Sequence, residues 1–314
     1  MSSAKTPLPT KILLLGAGEL GTAFLPHLSA LPNTHITIGV RSPQNYTHLT
    51  TSNITLTPLD LTSSSTHLAE LFSHYDILIS ATGFGQDTTS IPKLATEALE
   101  AGKLRKARGE SKLWFFPWQW GVDYDVTGDV DGLMPLFGAQ KSVRNRLRAE
   151  AEDSHVQWTI VSTGIFMSFL FEEFWGIVER KGKGEVTVRS LRDWEHGVTV
   201  TDVQDIGRVL ARIVAGDVDA ENRVLYLAGD SIRYGELADL IGRVTGKEVV
   251  REAWSVDHLK EELRKDPENG IKKYRLAFAG EGVVWSSKGT VNYELGIDML
   301  DLGTYVKRLF SELK

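Results

Sequence analysis

Short apolar runs alternate with amphipathic stretches through the first half of the chain. "KILLLG" (11–16) is a continuous apolar run that predicts a buried strand, and "TAFLPHLSAL" carries apolar residues at helical spacing through Leu31. "THITIGVR" and "NITLTPLDL" read as the next two strands, "STHLAELFSHY" as a helix and "DILISATG" as a fourth strand. The helix "IPKLATEALEAG", the strand "KLWFFP", the long helix "LFGAQKSVRNRLRAEAED" and the strand "VQWTIVSTG" follow. Alternation of this kind predicts an α/β fold, a Rossmann-type doubly wound parallel sheet covered by helices on both faces. The pattern then loosens. "FMSFLFEEFWGIV" reads as a strongly apolar, aromatic helix, and "VTDVQDIGRVLARIVAG", "RVLYLAG" and "YGELADLIGRVTG" as helix, strand and helix. The expected organisation is a nucleotide-binding domain over 1–165 and a smaller α-rich substrate-binding part over 166–314. Some segments of the second part return to the sheet, so the boundary is not one clean cut.

The first strand ends in Gly16, Gly18 and Gly21, at G-x-G-x-x-G spacing between a strand and a helix. Glycine patterns recur by chance, and a plain strand–helix turn is the alternative. The context is nevertheless that of a dinucleotide fingerprint, with the phosphates facing the helix N-terminus across Glu19 and Leu20. NAD sites place an acid about 20 residues later for the ribose 2′-OH. Here Arg41 and Ser42 stand at the end of the second strand, and no acidic residue occurs from Leu20 to Leu59. A guanidinium suits a 2′-phosphate, so NADP(H) is the expected cofactor. Other C-terminal strand ends, where such sheets bind ligands, carry Asp60, Ala81, Thr82, Gly83, Pro117, Ile165 and Phe166. Trp118 and Trp120 lie in a strand-end loop and are expected to wall a planar substrate, with Phe169 beside them. Gln119 and Tyr124 would supply directional hydrogen bonds. Asp202 and Asp205 are expected to cap the helix that follows them.

Composition narrows the chemistry. The chain has 314 residues, 42% hydrophobic, with a net charge of −6 and no cysteine. Disulfides and thiolate catalysis are excluded, the histidines lack metal-ligand spacing, and the basic runs of a nucleic-acid binder are missing. "MSSAKTPLPTK" has no apolar core of a signal peptide and no apolar run is long enough for a membrane span, so a cytoplasmic protein is expected.

Over about residues 10–310 the sequence resembles the isoflavone reductase-like and NmrA-like group of atypical short-chain dehydrogenases. "GAGELG", "GVRSP", "DILISATG", "FFPWQWGVDYD", "AQKSVRNRLRAE", "TIVSTGIFMSFLF" and "VTVTDVQDIGRVL" resemble family segments in the family's order. Leu15 stands where the family often has a glycine, and Trp118-Gln119 where it has Ser-Glu, which implies a more aromatic pocket. "LRKARGESK" has no obvious counterpart. Tyrosine-dependent relatives use Y-x-x-x-K. Here "FGAQK" puts Phe137 in the tyrosine position and keeps Lys141. The resemblance implies that Lys141 contacts the nicotinamide ribose and serves as acid or base. It implies NADPH-dependent reduction of an alkene, imine or carbonyl in a small aromatic or heterocyclic molecule, or a related cyclisation or isomerisation. The alternative is an NmrA-like NADP-sensing regulator that binds a protein partner without turnover.

Overall fold

The computed structural model describes residues 9–82, 88–181 and 184–311. The elements follow in chain order as β1 (Thr10–Leu15), α1 (Glu19–Leu28), β2 (Thr34–Val40), β3 (Ile54–Pro58), α2 (Ser65–Phe72), β4 (Ile77–Ser80), α3 (Ser90–Ala107) and β5 (Leu113–Phe116). Then come α4 (Tyr124–Thr127), α5 (Pro135–Glu150), β6 (Val156–Ser162), β7 (Ile165–Phe166), α6 (Met167–Leu170), β8 (Val178–Lys181), β9 (Glu185–Leu191), β10 (Gly197–Thr201) and α7 (Val203–Val214). The last are β11 (Arg223–Tyr226), β12 (Asp230–Arg233), α8 (Tyr234–Thr245), β13 (Glu248–Trp254), α9 (Val256–Lys265), α10 (Gly270–Phe278), α11 (Val291–Glu294) and α12 (Leu302–Ser311).

The chain divides into two compact units. The first comprises Met1–Gln119, Ser142–Ile160 and Gly207–Val224; the second comprises Trp120–Lys141, Val161–Ile206 and Leu225–Lys314. The chain therefore passes between the two units several times along its length.

A seven-stranded sheet, in the order β11-β6-β5-β4-β1-β2-β3, organises the first unit. The pairs from β6 through β3 are parallel. Its central strand shows why. Ile12, Leu13, Leu14 and Leu15 are all fully buried, as a parallel strand covered on both faces requires. Leu13, Leu15, Leu78 and Phe115 pack with Ala95, Ala98 and Leu99 of α3 and Val143 and Leu147 of α5. The first residues of "LRKARGESK" complete α3 and the rest form a largely exposed connection to β5. There the buried Arg105 donates to Tyr75 O at 2.7 Å and Asp76 Oδ1 at 2.9 Å, fixing the helix end against the start of β4.

The second unit has its own core, which includes Phe137, Met167, Trp175, Val186, Val188, Tyr234 and Leu237. Alongside helices it holds two three-stranded sheets, β12-β10-β7 and β13-β9-β8, none of whose strands is among those expected from the sequence. The aromatic stretch at 166–178 is not a continuous helix. After the single turn of α6 the chain bends at Gly176, with φ of 72°, and enters β8. Arg275 holds the bend, donating to Phe174 O at 2.8 Å and Trp175 O at 2.9 Å. Phe171 and Trp175 are core side chains and Phe169 packs against the same core, while Phe174 is exposed, so the aromatic residues do not follow a helical period. Among the described residues no helix is long and apolar enough to cross a membrane.

Candidate functional site

In the first unit the three glycines of the β1–α1 turn have unequal structural reasons to be glycine. Gly16 has φ of 95°, and a Cβ on it would lie 2.8 Å from Ala81 O. A Cβ on Gly21 would lie 2.3 Å from Gly16 O. Close packing of strand and helix therefore demands both. Gly18 is different. It is the N-cap of α1 with φ of −78°, and no side chain caps the helix there. A Cβ on it would meet nothing within 4 Å. The position a Gly18 side chain would take at the helix N-terminus is therefore open. A bare helix N-terminus of this kind suits an anionic pyrophosphate: the N–H groups and the positive helix end favour negative charge, and a side chain would block the approach. Glu19 is exposed and Leu20 buried in the first turn of α1.

Arg41 is exposed directly after β2, and the half-buried Ser42 begins the following 3₁₀ turn. Asp60 Oδ1 accepts from Thr62 N at 2.9 Å and Thr62 Oγ1 at 2.8 Å. These bonds hold its carboxyl below the ordinary range, helped by the charges of Arg41 and Lys93. Lys93 also donates to Leu61 O at 2.8 Å and Ser63 O at 3.0 Å, so it ties down the same loop. Ala81 is buried and Thr82 exposed after β4; Gly83 lies outside the described residues. Pro117 and Gln119 are buried while Trp118 is half-buried. Gln119 Oε1 accepts from Arg144 Nε at 2.8 Å, and Arg144 is itself fully buried. The amide oxygen expected to face a ligand is thus held by a helix arginine.

In the second unit Trp120 and Tyr124 are buried. The Tyr124 ring meets Phe137 edge-on at 5.3 Å, and Phe137 meets Tyr274 at 5.5 Å. Phe137 is a core side chain and offers no proton donor. Burial pushes the Tyr274 phenol well above its ordinary value. Lys141 is half-buried, and its Nζ donates to Asp125 O at 3.3 Å. Ile165 is buried and Phe166 half-buried in β7, which pairs in parallel with β10. Phe169 is half-buried, with its ring 5.3 Å from Phe174 and 5.1 Å from Trp175.

The two acids before α7 part company. Asp202 Oδ1 accepts from Gln204 N at 3.0 Å, as a cap does. Asp205 Oδ2 instead accepts from Leu300 N at 2.6 Å and ties the helix to a distant segment. Sequence reasoning overlooks Lys93, Asp123, Asp125 and Arg144. A signal existed for Arg144: it falls on the buried stripe of α5 with Gln140, Val143 and Leu147, where an exposed arginine is out of register. Among the described residues no group of three or more His, Cys, Asp or Glu could hold a metal ion.

Residues 9–282 match the NmrA-like family. A relative described as an NmrA-like family domain-containing oxidoreductase, from Gibberella moniliformis, is 39% identical over 311 residues, covering 94% of this chain and 97% of the relative. The solved structure of an isoflavone reductase superposes with a TM-score of 0.73 at 18% identity, over 96% of this chain and 99% of that one. That of the Citrobacter sp. triphenylmethane reductase complexed with NADP(H) gives 0.71 at 17% identity, over 95% and 99%. These two share the fold. With the family match spanning most of its length and a near full-length relative behind it, the chain belongs to the NmrA-like family.

Proposed function

We propose that the chain is an NADP(H)-dependent oxidoreductase acting on a small aromatic or heterocyclic molecule, reducing an alkene, imine or carbonyl or running a related cyclisation or isomerisation. The observation that carries the reading is Gly18, the one glycine of the turn with open space where its side chain would be. The printed description of the 39%-identical relative as an oxidoreductase supports it.

In this reading Gly16, Gly18, Glu19, Leu20 and Gly21 form the pyrophosphate cradle. Arg41 and Ser42 take the 2′-phosphate, and Asp60, Ala81, Thr82 and Gly83 border the adenosine. Pro117, Lys141, Ile165 and Phe166 serve the nicotinamide half. Trp118, Gln119, Trp120, Tyr124 and Phe169 shape the substrate side. The cofactor, when bound, supplies the hydride. Lys141 protonates or polarises the acceptor, because Phe137 leaves α5 no tyrosine one turn earlier.

The test is a fluorescence titration of NADPH and NADH against wild type and Arg41→Ala. Wild type should favour NADPH, and Arg41→Ala should lose about tenfold to a hundredfold of that affinity. Equal wild-type affinities would overturn the assignment. Phe137 buried in the core also suits a second reading, an NADP-sensing regulator. That reading predicts cofactor-dependent capture of a protein partner with no turnover across a panel of planar acceptors.

A further inference from the structure

Lys141 is held by a peptide carbonyl, and the carbonyl is held by a small network within the second unit. Asp125 O, which accepts from Lys141 Nζ, belongs to α4, a helix of only four residues. A single turn of this length does not persist unaided, since nucleating a helix costs more than its first hydrogen bond returns. Asp123 supplies what is missing. Its Oδ1 accepts from Asp125 N at 3.1 Å. Its backbone oxygen accepts from Val126 N at 3.1 Å and Thr127 N at 2.9 Å, and its own N donates to Gly282 O at 2.9 Å. The second carboxylate oxygen, Oδ2, accepts from Tyr226 Oη at 2.8 Å.

Tyr226 is anchored in turn. Its ring meets Trp285 edge-on at 5.3 Å. Trp285 donates through Nε1 to Leu227 O at 3.0 Å and through its backbone N to Thr199 Oγ1 at 3.1 Å. The turn closes at Gly128, with φ of 56°, where a Cβ would lie 3.7 Å from Lys141 Nζ. A neutral carbonyl orients an ammonium without cancelling its charge, and it occupies one of three donors. A carboxylate at the same place would also accept a hydrogen bond, but it would pair the charge.

Resting on the reading of Lys141 as proton donor, we propose that Asp123 and Tyr226 are positioning residues that aim the Lys141 ammonium through the α4 turn. The experiment uses the full chain with NADPH and planar acceptors. It compares Asp123→Ala, Asp123→Asn and Tyr226→Phe for kcat, KM, NADPH affinity and thermal unfolding. It adds the ¹³C NMR resonance of reductively methylated Lys141, assigned by its loss in Lys141→Arg.

Asp123→Ala should lower kcat by about a hundredfold, the scale of a misplaced catalytic group, and move the Lys141 resonance. NADPH affinity should stay within about threefold, because the affected step follows binding. Asp123→Asn keeps an Oδ1 acceptor for Asp125 N, and Asn caps as well as Asp, so it should restore kcat to within about threefold. Tyr226→Phe leaves the cap and removes only its support, so it should fall between them and covers the case in which Asp123→Ala does not fold. An unmoved Lys141 resonance in both Asp123→Ala and Tyr226→Phe overturns the proposal, as does a moved resonance with kcat unchanged. If Lys141→Met keeps full activity, the proton-donor reading fails on its own account. If wild type shows no turnover, the resonance alone decides whether the lysine is aimed.

Discussion

The glycine turn of the first unit and the Lys141 neighbourhood of the second solve different problems. The turn must present bare backbone, so its information is mostly local. Gly16 and Gly21 crowd each other and Ala81, and Gly18 leaves open space, all within one strand–turn–helix joint. The lysine must aim one charged atom, and its supports come from far along the chain. Asp125 lies 16 residues from Lys141, and Tyr226 lies 103 residues from the Asp123 it touches. A motif can announce where an anion is cradled. It cannot announce what steadies a flexible ammonium, because that depends on which segments the fold brings together.

The largest expected effect breaks the comparison at the lysine. Lys141→Met retains much of the aliphatic stem and removes the donor to Asp125 O. Loss of general acid–base chemistry should lower kcat by about 10²–10⁴-fold. NADPH affinity should change far less, since the phosphate contacts are assigned to the turn and Arg41. Steady-state rates beside fluorescence titration read both. Full activity in the variant would remove Lys141 from the chemistry and leave the turn as the only functional feature of the two.

The next effect separates the glycines from one another. Gly18→Val should fold and lose at least about a hundredfold in NADPH affinity, because the branched side chain enters the space the pyrophosphate needs. Gly21→Ala should act on stability instead. Its Cβ would lie 2.3 Å from the Gly16 carbonyl oxygen, an overpacking that costs about 3 kcal/mol. Gly18→Ala, with nothing within 4 Å of the added carbon, should unfold within about 0.5 kcal/mol of wild type. Urea unfolding of the alanine pair measures the contrast. If Gly18→Ala proved as unstable as Gly21→Ala, Gly18 would have a structural role and the cradle would lose its main support.

These contrasts also show what was legible beforehand. The parallel sheet was readable because buried strands such as β1 carry unbroken apolar runs, and its helices keep a helical period. The aromatic segment at 166–178 misled, because Phe169, Phe171 and Trp175 are apolar for packing within a bend that Arg275 holds from a different part of the sequence. Strand β9 was legible in part, since the alternation of "EVTVRSL" is a strand signal, but alternation implies one solvent-facing side, and Thr187 and Ser190 are as buried as Val186 and Val188. Arg144 was readable in principle, since the stripe of α5 includes its position. Asp123 and Tyr226 were not: nothing local to either residue names the other.

The smallest effect sharpens the electrostatic side of the first unit. The charge of Arg41 helps, after the Thr62 hydrogen bonds, to hold the Asp60 carboxyl low. Asp60→Asn keeps an oxygen to accept from Thr62 and drops the negative charge. With that charge gone, Arg41 should attract a 2′-phosphate slightly better, raising the NADPH-over-NADH preference by about twofold, in keeping with the modest strength of exposed charge pairs. The same variant reports on acid stability. The folded carboxyl is held below the ordinary value of 3.8, first by the Thr62 hydrogen bonds. As pH falls the unfolded chain therefore takes up its proton first. The stability Asp60 contributes is complete above that value and is lost as pH falls through the lower folded pKa. The stability difference between wild type and Asp60→Asn should accordingly be flat above about pH 5 and close in more acidic solution. A difference that instead widened toward low pH would mean that folding raises the Asp60 pKa, and Thr62 and Arg41 would not be its partners in solution.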